Sequence, residues 1–228
     1  MALETSQVQA LSTAAFEKLT TAQLVELTTA QVQALTTAQM VALSTAQANA
    51  LKNTQFEKLS TAQVAAIETV DFASLSTAAV AALTTAQAAN LTTAQVASLT
   101  TAQLVKIETA DFAALTSDRL ASLTSAQVGA LTTDQLVALT TQQASAINDT
   151  QVKGFTTAQL AKLETQDFAA FTTSAIAGLA GAQLSGLTTD EIRALTTVQI
   201  SAMNTTALKS LTSAQIQALT SDQLAELT

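Results

Sequence analysis

The chain has 228 residues and a formal net charge of −8, and it contains no Pro, Cys, His, Trp or Tyr. Without His or Cys there is no imidazole base, no thiolate nucleophile, no zinc site of the usual N/S type and no disulfide framework. The dispersed negative charge disfavours nucleic acid and anionic membranes as partners, and the 48% hydrophobic content excludes a disordered chain.

At the N-terminus, Met1-Ala2-Leu3-Glu4 runs straight into a repeat, and no signal peptide is visible. From Leu3 to Leu227 every eighth residue is large and apolar, without exception. Most are Leu, with Ile67, Ile107, Ile147, Phe155, Phe171 and Met203 as variants. Between them lie 28 octads reading roughly Thr-Thr-Ala-Gln-Val-x-Ala-Leu, labelled a to h with the apolar residue at h. Thr and Gln interrupt every apolar stretch, so none approaches the ~18–20 residues needed to span a bilayer.

One continuous helix does not fit this period. Eight residues advance an α-helix by about 800°, so each h residue falls roughly 80° beyond the last and no buried face forms. A heptad coiled coil fails for the same reason. A β-solenoid needs clean alternation and Asn, Gly or Pro at corners, which the octad lacks, whereas Ala, Leu and Gln favour helix.

Within each octad the signals mark a helix start. Position a is Thr or Ser in most octads and position d is Gln in 19 of 28, so Thr-x-x-Gln, the capping box, recurs in fixed register. The h residue before the cap and the apolar e residue after it form a hydrophobic staple, as in Leu35, Thr36, Gln39 and Met40. Of 17 acids, 13 lie at a to d, and of nine bases, seven lie at f or g. A helix dipole sorts charge this way only if each octad has its own ends.

The sequence therefore predicts an all-α solenoid, a superhelix of octapeptide repeats over 4–227, each a short capped helix followed by a bend. Gly is nearly absent from the bends, so the chain turns moderately rather than through a left-handed cap. Helices this short are not stable alone. Stacking of coil on coil must bury h and e, with Ala at c and g as close-contact positions. Phe16-Glu17-Lys18-Leu19 and Phe56-Glu57-Lys58-Leu59 recur 40 residues apart, as do the octads beginning at Glu68 and Glu108, which suggests five octads per coil. The third acidic copy, at Glu164, comes 56 residues later and breaks that rhythm. Residues 1–228 read as a single array without a linker. Neither end has the atypical polar repeat that closes most solenoids, so the array is expected to be a piece of a longer one or to stack end to end with copies of itself.

The Leu-Thr-Thr-Ala-Gln-Val-x-Ala array resembles repeat regions of very large bacterial surface or secreted proteins of adhesin-like or haem-utilisation-like type. The resemblance covers essentially the whole chain and transfers no site residues. It implies an extracellular or cell-surface location and a stalk-like role. For haem the chain offers little, since Met1, Met40 and Met203 are its only thioethers.

No catalytic residue and no cofactor is expected. The candidate metal ligands are Glu68 with Asp71, Glu108 with Asp111, and Glu164 with Asp167, each pair at a and d and followed by Phe. Two stacked acidic octads would offer four carboxylates to Ca²⁺. The simpler reading makes them charged helix caps, with Lys106 and Lys162 offsetting Glu108 and Glu164. Acid–base hydrolysis by such a pair lacks a pocket or an orienting aromatic. Phe16, Phe56, Phe72, Phe112 and Phe168 at e read as core fillers. Thr at b leaves a free hydroxyl row, an alternative surface for ice or glycan. Gly178, Gly181 and Gly186 mark either drift or a hinge. The function this favours is a structural spacer or stalk scaffold without catalysis. The alternative is a binding module presenting a repeated row to a glycan, another polymer, ice or Ca²⁺.

Overall fold

The computed structural model describes residues 4–227; Leu3, first of the apolar row, and Met1 lie outside them. Among the described residues there are 27 α-helices of four to six residues, one 3-10 helix (Val152–Gly154) and no strand. Each octad contributes one helical element, in the register the capping boxes mark.

Thr36 shows how an octad begins. It is extended (φ −81°, ψ 158°), and its hydroxyl accepts from the Gln39 amide at 3.2 Å. Gln39 Oε1 accepts in return from the Thr36 amide at 2.8 Å. The helix Thr37–Val41 follows, with Met40 N–H donating to Thr36 O at 3.0 Å. At an octad's end the h residue is extended, as at Leu51 (φ −56°, ψ 128°). Two consecutive extended residues, h and a, thus form the bend at Leu51–Lys52, and the same pair recurs at Ile67–Glu68, Leu99–Thr100 and Leu131–Thr132. No described residue has a positive φ, so the turn needs no left-handed glycine.

The described residues fall into two compact units, Met1–Leu115 and Thr116–Thr228, each built alike. In both, positions d, e and h are mostly buried, g is mostly half-buried, and c and f are mostly exposed. Ala at c, expected to be a close-contact position, instead faces solvent, as Ala38, Ala62 and Ala94 do. The interior row it was thought to share is taken by Gln at d. Each fully buried Leu, Val or Phe contributes about 1.5–3 kcal/mol, which offsets the poor intrinsic stability of a one-turn helix. Ion pairing adds little. Among the described residues the one salt bridge is Lys58–Glu57, exposed and 2.9 Å long.

Five octads per coil is incorrect. Hydrogen bonds between coils join residues 25 to 31 apart, and the commonest offsets are 28 and 31. Twenty-eight residues is three and a half octads, and 31 is just short of four. The 40-residue recurrence tracks which octads carry a larger e residue and has no bearing on where one coil meets the next.

Candidate functional site

The d-position glutamine holds the fold together. Its Oε1 closes the capping box within its own octad, and its Nε2 points across the seam to the preceding coil. In the first unit, Gln39 Nε2 donates to Val8 O and Leu11 O, both at 2.9 Å. Gln63 Nε2 donates to Val32 O at 3.1 Å, Gln33 O at 3.2 Å and Leu35 O at 2.6 Å. Gln55, Gln87, Gln95 and Gln103 repeat the arrangement. In the second unit, Gln151 bridges to Leu120 O and Leu123 O, and Gln183 to Val152 O and Phe155 O, at 2.7–2.9 Å.

The h carbonyl lies past the helix end, and the e carbonyl, which already accepts the h amide of its own octad as Val8 O does from Leu11 N–H at 3.3 Å, has a second lone pair free. One side chain therefore satisfies the start of its own helix and the end of a helix in the coil below. Gln39, Gln63, Gln95, Gln135 and Gln151 are each at most 3% exposed. The sequence carries the signal for this role. A capping box accepts Glu or Gln, yet the row holds 19 Gln and one Glu. Only the amide brings donors for the second job.

Where d is not Gln, the seam changes. Ser76 still caps through the Ala79 amide at 3.1 Å, but alanine has nothing to send across. At the three acidic octads, Asp71, Asp111 and Asp167 are buried, and each accepts a hydroxyl from position b of an earlier octad. Thr45, Thr85 and Thr141 supply it, at 2.9, 2.7 and 2.7 Å, always 26 residues upstream. This Thr–Asp pairing does not follow from the repeat pattern alone, because the b row is Thr whether or not an Asp stands above it.

Glu68, Glu108 and Glu164 stand at the N-cap, the position of a charged cap, but make no side-chain cap bond. An N-cap glutamate is one methylene too long to fold back as Thr does, and all three carboxylates lie in solvent. Glu164 Oε2 accepts from Gln166 Nε2 at 3.0 Å. Lys106 and Lys162 form no ion pair with Glu108 or Glu164. Each acidic octad thus divides an exposed Glu from a buried Asp. In the first unit the Glu68 and Glu108 octads, 40 residues apart, do not stack on each other. No group of three or more His, Cys, Asp or Glu suited to a metal occurs among the described residues.

Phe16, Phe56, Phe72, Phe112 and Phe168 are wholly buried at e. Phe171 at h joins Phe168 and Phe155, with ring centroids 5.4 and 6.0 Å away. The b-position Thr residues are mostly exposed, including the three bonded to Asp. The glycines mark close approach rather than drift or a hinge: a Cβ on Gly186 would collide with Thr157 Cγ2, and one on Gly178 would lie 3.1 Å from Asp149 O.

A family model described as the ALTTAQ repeat matches residues 1–37, 64–101, 104–141, 160–197 and 197–228, most of the chain. The chain belongs to the ALTTAQ repeat family. The six letters correspond to positions g, h, a, b, c and d, so in this chain the ALTTAQ string holds the apolar h residue, the capping hydroxyl and the seam glutamine together. No match is found among curated proteins. No helix of the described residues is long and apolar enough to cross a membrane.

Proposed function

We propose that this ALTTAQ array is a structural spacer or stalk, without catalysis, within a long extracellular or filament-forming protein. One observation supports the reading above others: the same glutamine bridge, at the same 28- and 31-residue offsets, recurs in both units. Repetition of a single contact suits an element whose length is set by the number of octads. The surface-protein context rests on the resemblance of the repeat. To test the spacer role, variants lengthened by whole octads are compared by hydrodynamic radius and screened against a glycan array and millimolar calcium. The radius should grow steadily with octad number and no ligand should bind. Saturable binding of a soluble glycan, or a calcium-dependent rise in Tm, would favour the binding-module alternative.

A second reading, assembly of copies end to end, is supported by complementary coil faces. At the N-terminal end Gln7 and Gln23 are exposed and Leu11, Leu19 and Leu27 are only half-buried; at the C-terminal end Ile216 and Leu224 are 40% and 43% exposed. One face offers amide donors, and the other offers apolar e residues beside the main-chain carbonyls that such amides seek. Sedimentation at increasing concentration tests this. Open-ended growth supports it, and a monomer at every concentration contradicts it.

A further inference from the structure

Glu191 is the one glutamate in the seam row. Its Oε2 takes the place of a glutamine Oε1, accepting from the Thr188 amide at 2.6 Å and the Thr188 hydroxyl at 2.9 Å. Its Oε1 therefore occupies the place of Nε2. That oxygen is buried and has no hydrogen-bond partner, in a residue 2% exposed.

The neighbouring glutamines define what Oε1 faces. Gln183 in the octad before and Gln215 in the coil above both donate to carbonyls 31 and 28 residues upstream, Val152 with Phe155 and Leu184 with Leu187. Gln199 in the octad after donates 28 upstream to Phe171 O and 30 upstream to Ala169 O. The same offsets from Glu191 reach Leu160 O and Leu163 O. A carboxylate oxygen there would place a third acceptor beside two carbonyls, with no donor among them, a costly arrangement away from water. A single proton resolves it.

We propose that Glu191 is protonated in the folded chain and that its Oε1–H donates to the main-chain carbonyl of Leu160 or Leu163, so a proton closes this seam where an amide closes the others. Burial, the largest influence, pushes the carboxyl above its ordinary value of 4.5, against the lowering effect of the two Thr188 bonds. The surrounding charges do not supply a counter-ion. Helix Ser213–Ala218 has no charged residue. Helix Thr165–Ala169 carries buried Asp167, already bonded to Thr141, behind exposed Glu164. Lys162 beside the carbonyls, and Asp190 and Arg193 on Glu191's own helix, are exposed and form no ion pair with it.

The sign of the linkage follows. With the folded-state value raised, folded chains bind more protons than unfolded ones above about pH 4.5, so stability falls as pH rises until the folded group itself ionises. Below that value both states are protonated, and the full contribution is present.

The test is Tm against pH for the protein and for Glu191→Gln, which folds because Gln is the residue of the row. The two curves should run parallel in acid and separate above about pH 4.5, the protein losing Tm relative to the variant. Infrared difference spectra at neutral pH should show a carboxylic-acid C=O band present in the protein and absent from the variant. Parallel curves at all pH values, or no such band, would overturn the proposal. A Tm that rises with calcium at neutral pH in the protein but not in Glu191→Gln would also overturn it, replacing the proton by a cation.

Discussion

Gln63→Glu separates the two tasks of the seam glutamine. In the native chain, Gln63 Oε1 accepts from the Ser60 amide at 2.7 Å, and Nε2 donates across the seam to Val32 O and Leu35 O. Glutamate keeps the first bond and, as at Glu191, is expected to take up a proton in the folded chain at a position 3% exposed, so that one seam donor is kept and one is lost. The lost bond is worth about 1 kcal/mol, and holding the proton costs about 1.4 kcal/mol for each pH unit above the unfolded carboxyl value of about 4.3. The expected loss at neutral pH is therefore about 3–5 kcal/mol, shrinking in acid as the unfolded carboxyl is protonated too. The control is Gln23→Glu. Gln23 closes the same box with Thr20 but is exposed, and it should lose no more than about 0.5 kcal/mol. Urea unfolding followed by far-ultraviolet circular dichroism measures both. If Gln63→Glu were no worse than Gln23→Glu, the amide would be serving only as a cap, and the cross-coil role would be refuted.

Thr45→Val removes the hydroxyl donor from buried Asp71 and should cost about 1–3 kcal/mol in the same assay. Thr37→Val, at the same octad position with no Asp to serve, should change stability by less than about 0.5 kcal/mol. Gly154→Ala should destabilise by about 1–3 kcal/mol, because its Cβ would collide with the main-chain oxygen of Ser125 and backbone must shift. Ser60→Ala should cost about 1 kcal/mol, measured as a fall in urea midpoint, since it removes the cap on the Gln63 amide while the seam bonds remain.

Much of this structure was legible in the sequence because its signals are local. Leu35, Thr36, Gln39 and Met40 specify a helix start through bonds spanning three or four residues, and the charge sorting follows from the same helix ends. The coil size was not legible. It is set by the angle at each pair of extended h and a residues, summed over several bends, and no single octad encodes that sum. The second task of Gln was half-visible. The preference for Gln over Glu at d asks for a donor, but not which carbonyls receive it. The acidic octads misled for a different reason. Glu68 and Asp71 look like a pair along the chain, yet position a faces solvent and position d faces the seam, so three residues of helix place them in different environments.

The distance along the chain at which one coil meets the next is the most direct thing to measure, and a protein without cysteine suits the experiment. Gly181→Cys with Ser210→Cys joins residues 29 apart, at a site where a Cβ on Gly181 would lie 3.1 Å from Ser210 Cβ, a few tenths of an ångström inside the usual disulfide range of about 3.5–4.5 Å. Ser145→Cys with Ser185→Cys spans the 40-residue recurrence instead. Mild oxidation should close the first pair within the chain and leave the second as free thiols. Ready closure of the 40-residue pair, with the 29-residue pair left open, would contradict the stacking register on which the glutamine bridge depends.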